Sequence, residues 1–117
     1  MDIPENNHHQ QQNTLYEGHN GYVVYCSHCK AFHIAYGTVS FDQTESSLLS
    51  LMEVLNYNYH QYRNAFDPDC RCVQIITPFT GFRFLLSTNE LLEFSEMLQQ
   101  AFLVFEAERI VNDQNYN

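Results

Sequence analysis

The chain has 117 residues, with 14 Asp and Glu against 5 Lys and Arg, and a formal net charge of −9. That length holds one hydrophobic core and leaves no room for two, and 44% hydrophobic residues, including nine Phe and eight Tyr, supply it well. The charge argues against nucleic acid, whose phosphates need clustered cations, because Lys30, Arg63, Arg71, Arg83 and Arg109 are scattered; nor does any stretch approach the roughly 20 apolar residues of a membrane span.

The first 13 residues, "MDIPENNHHQQQN", have no apolar period and read as a disordered tail. His8 and His9 there read as part of a soluble tail or a cloning remnant rather than as metal ligands. No charged start followed by an apolar run marks a secretory signal, so the expected compartment is the cytosol. From Asn20 to Phe41 the pattern is strand-like. "GYVVYC" is apolar on both alternations, as in a strand that is central in a sheet or covered on two faces. "AFHIAYG" places Phe32, Ile34 and Tyr36 on one face and His33 and Ala35 on the other. "CSHCK" between them has the length of a hairpin turn. Gly37 breaks the run, and "TVSF" adds a third strand or extends the second.

Asp42 followed by Glu45 has the spacing of a capping box and predicts a helix start. Its stripe would be Leu48, Met52, Leu55, Tyr59 and Tyr62, ended by the proline turn "FDPDC". A second hairpin follows, "CVQIIT" and "FRFLLS" joined by "PFTG". Ser87 with Glu90 repeats the capping signal and opens a helix to about Val111, with Leu91, Phe94, Leu98, Phe102 and Phe105 as its stripe. Leu103 and Val104 fall off that stripe. They need other cover, either the first helix or a second copy of the chain, so a homodimer through the C-terminal helix is one expectation. The order ββαββα predicts an α+β fold: a mainly antiparallel sheet of about four to five strands with two helices on one face. One domain would span residues 14–111, between a tail at 1–13 and another at 112–117.

The chemistry concentrates in four cysteines, Cys26-x-x-Cys29 and Cys70-x-Cys72. In a cytosolic chain four thiols point to a metal before a disulfide framework. A C-x-x-C turn aims two sulfurs at one point, and residues i and i+2 at a strand's start face the same side. A structural Zn2+ held by Cys26, Cys29, Cys70 and Cys72 is therefore the predicted site, with His28 or His33 able to replace one cysteine. A Zn(Cys)4 centre carries −2 and would take the chain from −9 to −11, so Lys30 and Arg71, beside the cysteines, are candidates to offset it. A redox-active C-x-x-C pair and plain core thiols are the alternatives.

The residues "GYVVYCSHCKAFHIAYGT", with "IITP" and "LLSTNELLEFSEML" downstream, resemble a small bacterial family of uncharacterised proteins, a domain of unknown function. The resemblance covers about residues 15 to 106 and implies a bacterial origin and an α+β domain; it brings no activity. Four cysteines close a zinc shell, and the chain shows no Ser–His–Asp grouping, glycine-rich phosphate loop or H-E-x-x-H, so no enzyme is expected. The reading is an adaptor domain, stapled by zinc, that binds another protein. A thiol/zinc redox switch on Cys26 and Cys29 is the alternative. A small-molecule pocket lined by Tyr22, Tyr25, Tyr36, Tyr57, Tyr59 and Tyr62 ranks below both, since tyrosine is common at core edges.

Overall fold

The computed structural model describes residues 12–77 and 81–115. The chain is α+β, as the pattern predicts, in the order ββββαββα: a four-stranded antiparallel sheet, a separate two-stranded sheet and two helices. Contacts group it into two compact units. One comprises the residues up to Glu45 with those from Gln99 onward; the other is Ser46–Leu98.

The first unit is built on strands β1 (Gln12–Glu17), β2 (Gly21–Cys26), β3 (Ala31–Tyr36) and β4 (Val39–Gln43), paired in chain order. β2 is central, as its two-sided apolar pattern requires. β3 alternates as expected, with Phe32, Ile34 and Tyr36 buried and His33 and Ala35 half-buried. Each such large side chain withdrawn from water contributes roughly 1.5–3 kcal/mol. Gly37, at φ +61, turns the chain so that "TVSF" opens a strand of its own. The turn is tied by the Gly37 N–H donating to the Asn20 carbonyl at 2.8 Å. Two expectations are corrected here. Gln12 and Asn13 belong to β1 and not to a tail; residues 1–11, His8 and His9 among them, lie outside the described residues. Asp42 is a strand residue, paired with His33 across β3 and β4, and the helix begins only at Glu45. The Asp-x-x-Glu spacing is shared by a cap and by a strand that runs straight into a helix, and here the strand's ladder claims Asp42.

The second unit holds helix α1 (Glu45–Tyr62) from Ser46 onward, the hairpin β5 (Val73–Ile76) and β6 (Arg83–Leu86), and the start of α2 (Thr88–Asn115). α1 buries Leu48, Leu51 and Leu55, whereas Met52 and Tyr59 are half-buried and Tyr62 is exposed. Its stripe is therefore shorter than the sequence suggests. The capping box at Ser87 forms as read: the Glu90 N–H donates to Ser87 Oγ at 3.0 Å, and the Ser87 N–H to Glu90 Oε1 at 2.9 Å. α2 then buries Leu91, Phe94, Met97 and Leu98. It runs to Asn115, four residues beyond the predicted end. Most of the "PFTG" turn, residues 78–80, lies outside the described residues.

Candidate metal centre

The β2–β3 hairpin places its polar residues by register. Cys26 pairs with Ala31, and Val24 with His33. Cys26 and His33 are thus diagonal neighbours on one face of the sheet, opposite the face that carries Tyr25, Phe32 and Ile34. The next strand adds Asp42 directly across from His33. Between Cys26 and Ala31 the four-residue turn Ser27–Lys30 brings Cys29 back over its partner, and the Cys29 N–H donates to Cys26 Sγ at 3.2 Å. Lys30 closes the turn at φ +55, the left-handed region that side chains rarely enter.

Cys26, Cys29 and His33 converge: one donor atom from each lies within 4.8 Å of the other two. Ligands of a tetrahedral zinc at bond lengths of about 2.0–2.3 Å stand about 3.5 Å apart. A small closure about an ion meets that requirement. Cys26 is fully buried, Cys29 is exposed and His33 is half-buried.

The electrostatics favour a thiolate at Cys26. Hydrogen bonds from the Cys29 side chain and then the Cys29 N–H stabilise its charged form and hold its thiol below the usual value; His33 adds to this. Cys29 moves the other way, raised by its neighbour Cys26 and by partial desolvation. His33 Nδ1 lies 2.5 Å from Asp42 Oδ1, and this carboxylate raises the imidazole's pKa. A carboxylate accepts, so Nδ1 carries the proton and the lone pair of neutral imidazole falls on Nε2. Carboxylate–imidazole pairing of this kind orients metal-binding histidines and raises their basicity.

Cys70 and Cys72 belong to the other unit, and there they are joined to each other as a disulfide. The two residues lie ahead of β5 and not along it, and a tight turn brings them together, the Cys72 N–H donating to the Cys70 carbonyl at 2.8 Å; as a disulfide they offer no thiolate. Arg71 reaches α2, where its Nη2 donates to Glu90 Oε2 at 2.7 Å. The Asn89 side chain donates to Asp69 Oδ1 at 2.9 Å and fixes the same loop. Of the four predicted ligands, the described structure brings Cys26 and Cys29 together with His33, and Cys70 with Cys72. His28 is an exposed residue of the turn.

Spacing alone presents His33 as a stand-in for a cysteine and Asp42 as a helix cap. A signal for both existed. A four-residue turn after Cys26 fixes the parity of the hairpin and puts His33 on the Cys26 face. Recognising "VSFDQ" as a third strand would have brought Asp42 beside it.

A two-strand hairpin carrying a thiol pair and a carboxylate-backed imidazole defines a small α+β domain with a candidate Cys–Cys–His metal centre. The chain belongs to the Family of unknown function DUF6686, matched over residues 8–116, as the resemblance carried by its C-x-x-C hairpin implies. No curated protein and no solved structure matches it.

Proposed function

We propose that this protein is a non-enzymatic interaction domain whose sheet is stapled by one Zn2+ bound to Cys26, Cys29 and His33. The observation that carries the reading is the convergence of those three donors within 4.8 Å, with Asp42 already on the imidazole. Two thiolates, a neutral imidazole and Zn2+ sum to zero charge, which suits the full burial of Cys26 better than a −2 four-cysteine centre does. Zinc takes a fourth ligand. Cys26, Cys29 and His33 leave that one position to a ligand outside the set. Support for a structural role comes from the engagement of the site's carboxylate, Asp42, with His33. It also comes from large apolar side chains left exposed elsewhere, Leu103 at 69%, Ile76 at 70% and Leu85 at 60%. No helix among the described residues is long and apolar enough to cross a membrane.

The test is elemental analysis of untagged protein with a thiol count before and after chelation. About one zinc per chain, and Cys26 and Cys29 unmasked by chelation, are expected. Absence of metal with freely reactive Cys26 and Cys29 would overturn the site. The exposure of Cys29 beside Cys26, whose thiol is held below its usual value by the Cys29 hydrogen bonds, favours a second reading, a thiol/zinc switch. Hydrogen peroxide would take two electrons from the two thiolates and two protons from solvent, becoming two waters as the Cys26–Cys29 disulfide forms and Zn2+ is released. Retention of zinc through mild peroxide treatment identifies the staple; its release together with disulfide formation identifies the switch.

A further inference from the structure

Past Gln99, α2 carries two apolar stripes on opposite sides. The inner one holds Phe105, whose ring centroid lies 4.8 Å from that of Tyr25 and 4.9 Å from that of Phe32. The outer one is Leu103, Val104, Ala107, Ile110 and Val111, at i, i+1, i+4, i+7 and i+8, the spacing by which a helix lays one face against a partner helix. All five are exposed, Leu103 at 69% and Ile110 and Val111 at 54% each. A groove of about 400 Å³, lined by Asn13, Ala107, Glu108, Val111 and Asn112, runs beside this stripe.

The margins of the outer stripe are acidic. At about 100° per residue, Asp113 borders it on one side, next to a Glu106 already paired with Arg109, and Glu108, which accepts from the Asn13 side chain, borders it on the other. Arg109 falls on the inner face, stacked over Phe105 at 4.9 Å and bonded to Glu45 at 2.9 Å and Glu106 at 2.5 Å, so it offers the outer face no cation. A second copy of this chain would set acid against acid on a molecule of charge −9, and like charges juxtaposed at an interface disfavour it.

We propose that the outer face of α2 docks a basic amphipathic helix. The partner's apolar side would sit on Leu103, Ala107 and Ile110, and its Lys and Arg would lie beside Glu108 and Asp113. This rests on the interaction half of the proposed function and not on the metal.

The probe is a synthetic Leu/Lys amphipathic helix of about 18 residues, titrated calorimetrically into the full zinc-treated chain. One peptide per chain is expected, with affinity falling as salt rises. The pair L103S and I110S should weaken it at least about tenfold, as loss of central anchors does. D113K should also weaken it, without touching the apolar surface. L85S, on an exposed apolar residue of β6, should leave it unchanged, and a Leu/Glu peptide of the same pattern should not bind. The proposal is overturned if the L103S/I110S protein, folded by circular dichroism, binds as tightly as the parent, or if the acidic peptide binds equally well. It is also overturned if sedimentation shows a dimer that L103S/I110S dissociates, which would name a second copy as the occupant. Repeating the titration after chelation separates the two readings: stripe-dependent binding without bound zinc sinks the metal staple alone, and bound zinc without stripe-dependent binding sinks the docking face alone.

Discussion

At Lys30 the backbone sits at φ +55 because a four-residue turn must return in time to pair Ala31 with Cys26 while laying the Cys29 N–H on the Cys26 sulfur. That conformation costs an L-residue roughly 1–2 kcal/mol. Glycine would escape it but lose roughly 0.5–1 kcal/mol to its greater freedom when unfolded. Lys30→Gly should therefore stabilise the metal-free protein by about 0.5–1 kcal/mol, read as a higher denaturant midpoint at unchanged slope. A lower midpoint would mean that the lysine side chain contributes more than the strain removes. Asp42 makes a different prediction. Asp42→Asn leaves a side chain of the same size beside His33 but withdraws the charge that raises the imidazole's basicity. Zinc affinity, measured by competition with a chromophoric chelator, should fall on the order of 10- to 100-fold, with the far-ultraviolet spectrum unchanged. An unaltered affinity would remove Asp42 from the site.

Among the elements, α2 has the clearest start, and its cap is also an electrostatic junction. Arg71 beside Glu90, helped by the Ser87 N–H, holds this carboxyl below the ordinary glutamate range in spite of its partial burial. The folded pKa lies below the unfolded one, so the stabilisation is complete above about pH 4.3 and is lost as the pH falls through the folded value. Glu90→Gln should thus cost stability at neutral pH, and the gap between parent and variant should close as the pH drops below about 4. Urea titrations across that range check it; a constant gap would mean that Glu90 acts by packing alone. Arg71 is 69% exposed, which keeps the effect modest. This cap was legible because Ser-x-x-Glu led directly into a helical stripe. β3 was legible because Phe32, Ile34 and Tyr36 alternate without interruption. β1 was not: of its six residues only Leu15 is buried, and its register slips between Thr14 and Tyr16, so neither apolar alternation nor strict period survives in "QNTLYE". The four-cysteine set was read from spacing, which aims each pair at a point without telling whether the two points coincide.

Across the molecule, the three converging donors all lie in β2, β3 and their turn, within the unit formed by residues up to Glu45 and from Gln99 onward, while Cys70 and Cys72 lie in Ser46–Leu98. This division turns the choice of ligands into a spatial measurement. Metal binding free energy is folding free energy for the segments that the ion joins, and amide exchange reports that stability segment by segment. With Cys26, Cys29 and His33 as the protein ligands, chelation should raise exchange in Gly21–Tyr36 and in its ladder partners, β1 and β4. Val73–Ile76 and the start of α2 should stay protected. With Cys70 and Cys72 as further ligands, reduced protein should instead lose protection in β5 on chelation, and Cys72→Ser should reproduce that loss. Protection unchanged everywhere would show that no ion joins these segments, and would leave Cys26, with its N–H donor and the carboxylate-backed histidine, to thiol chemistry.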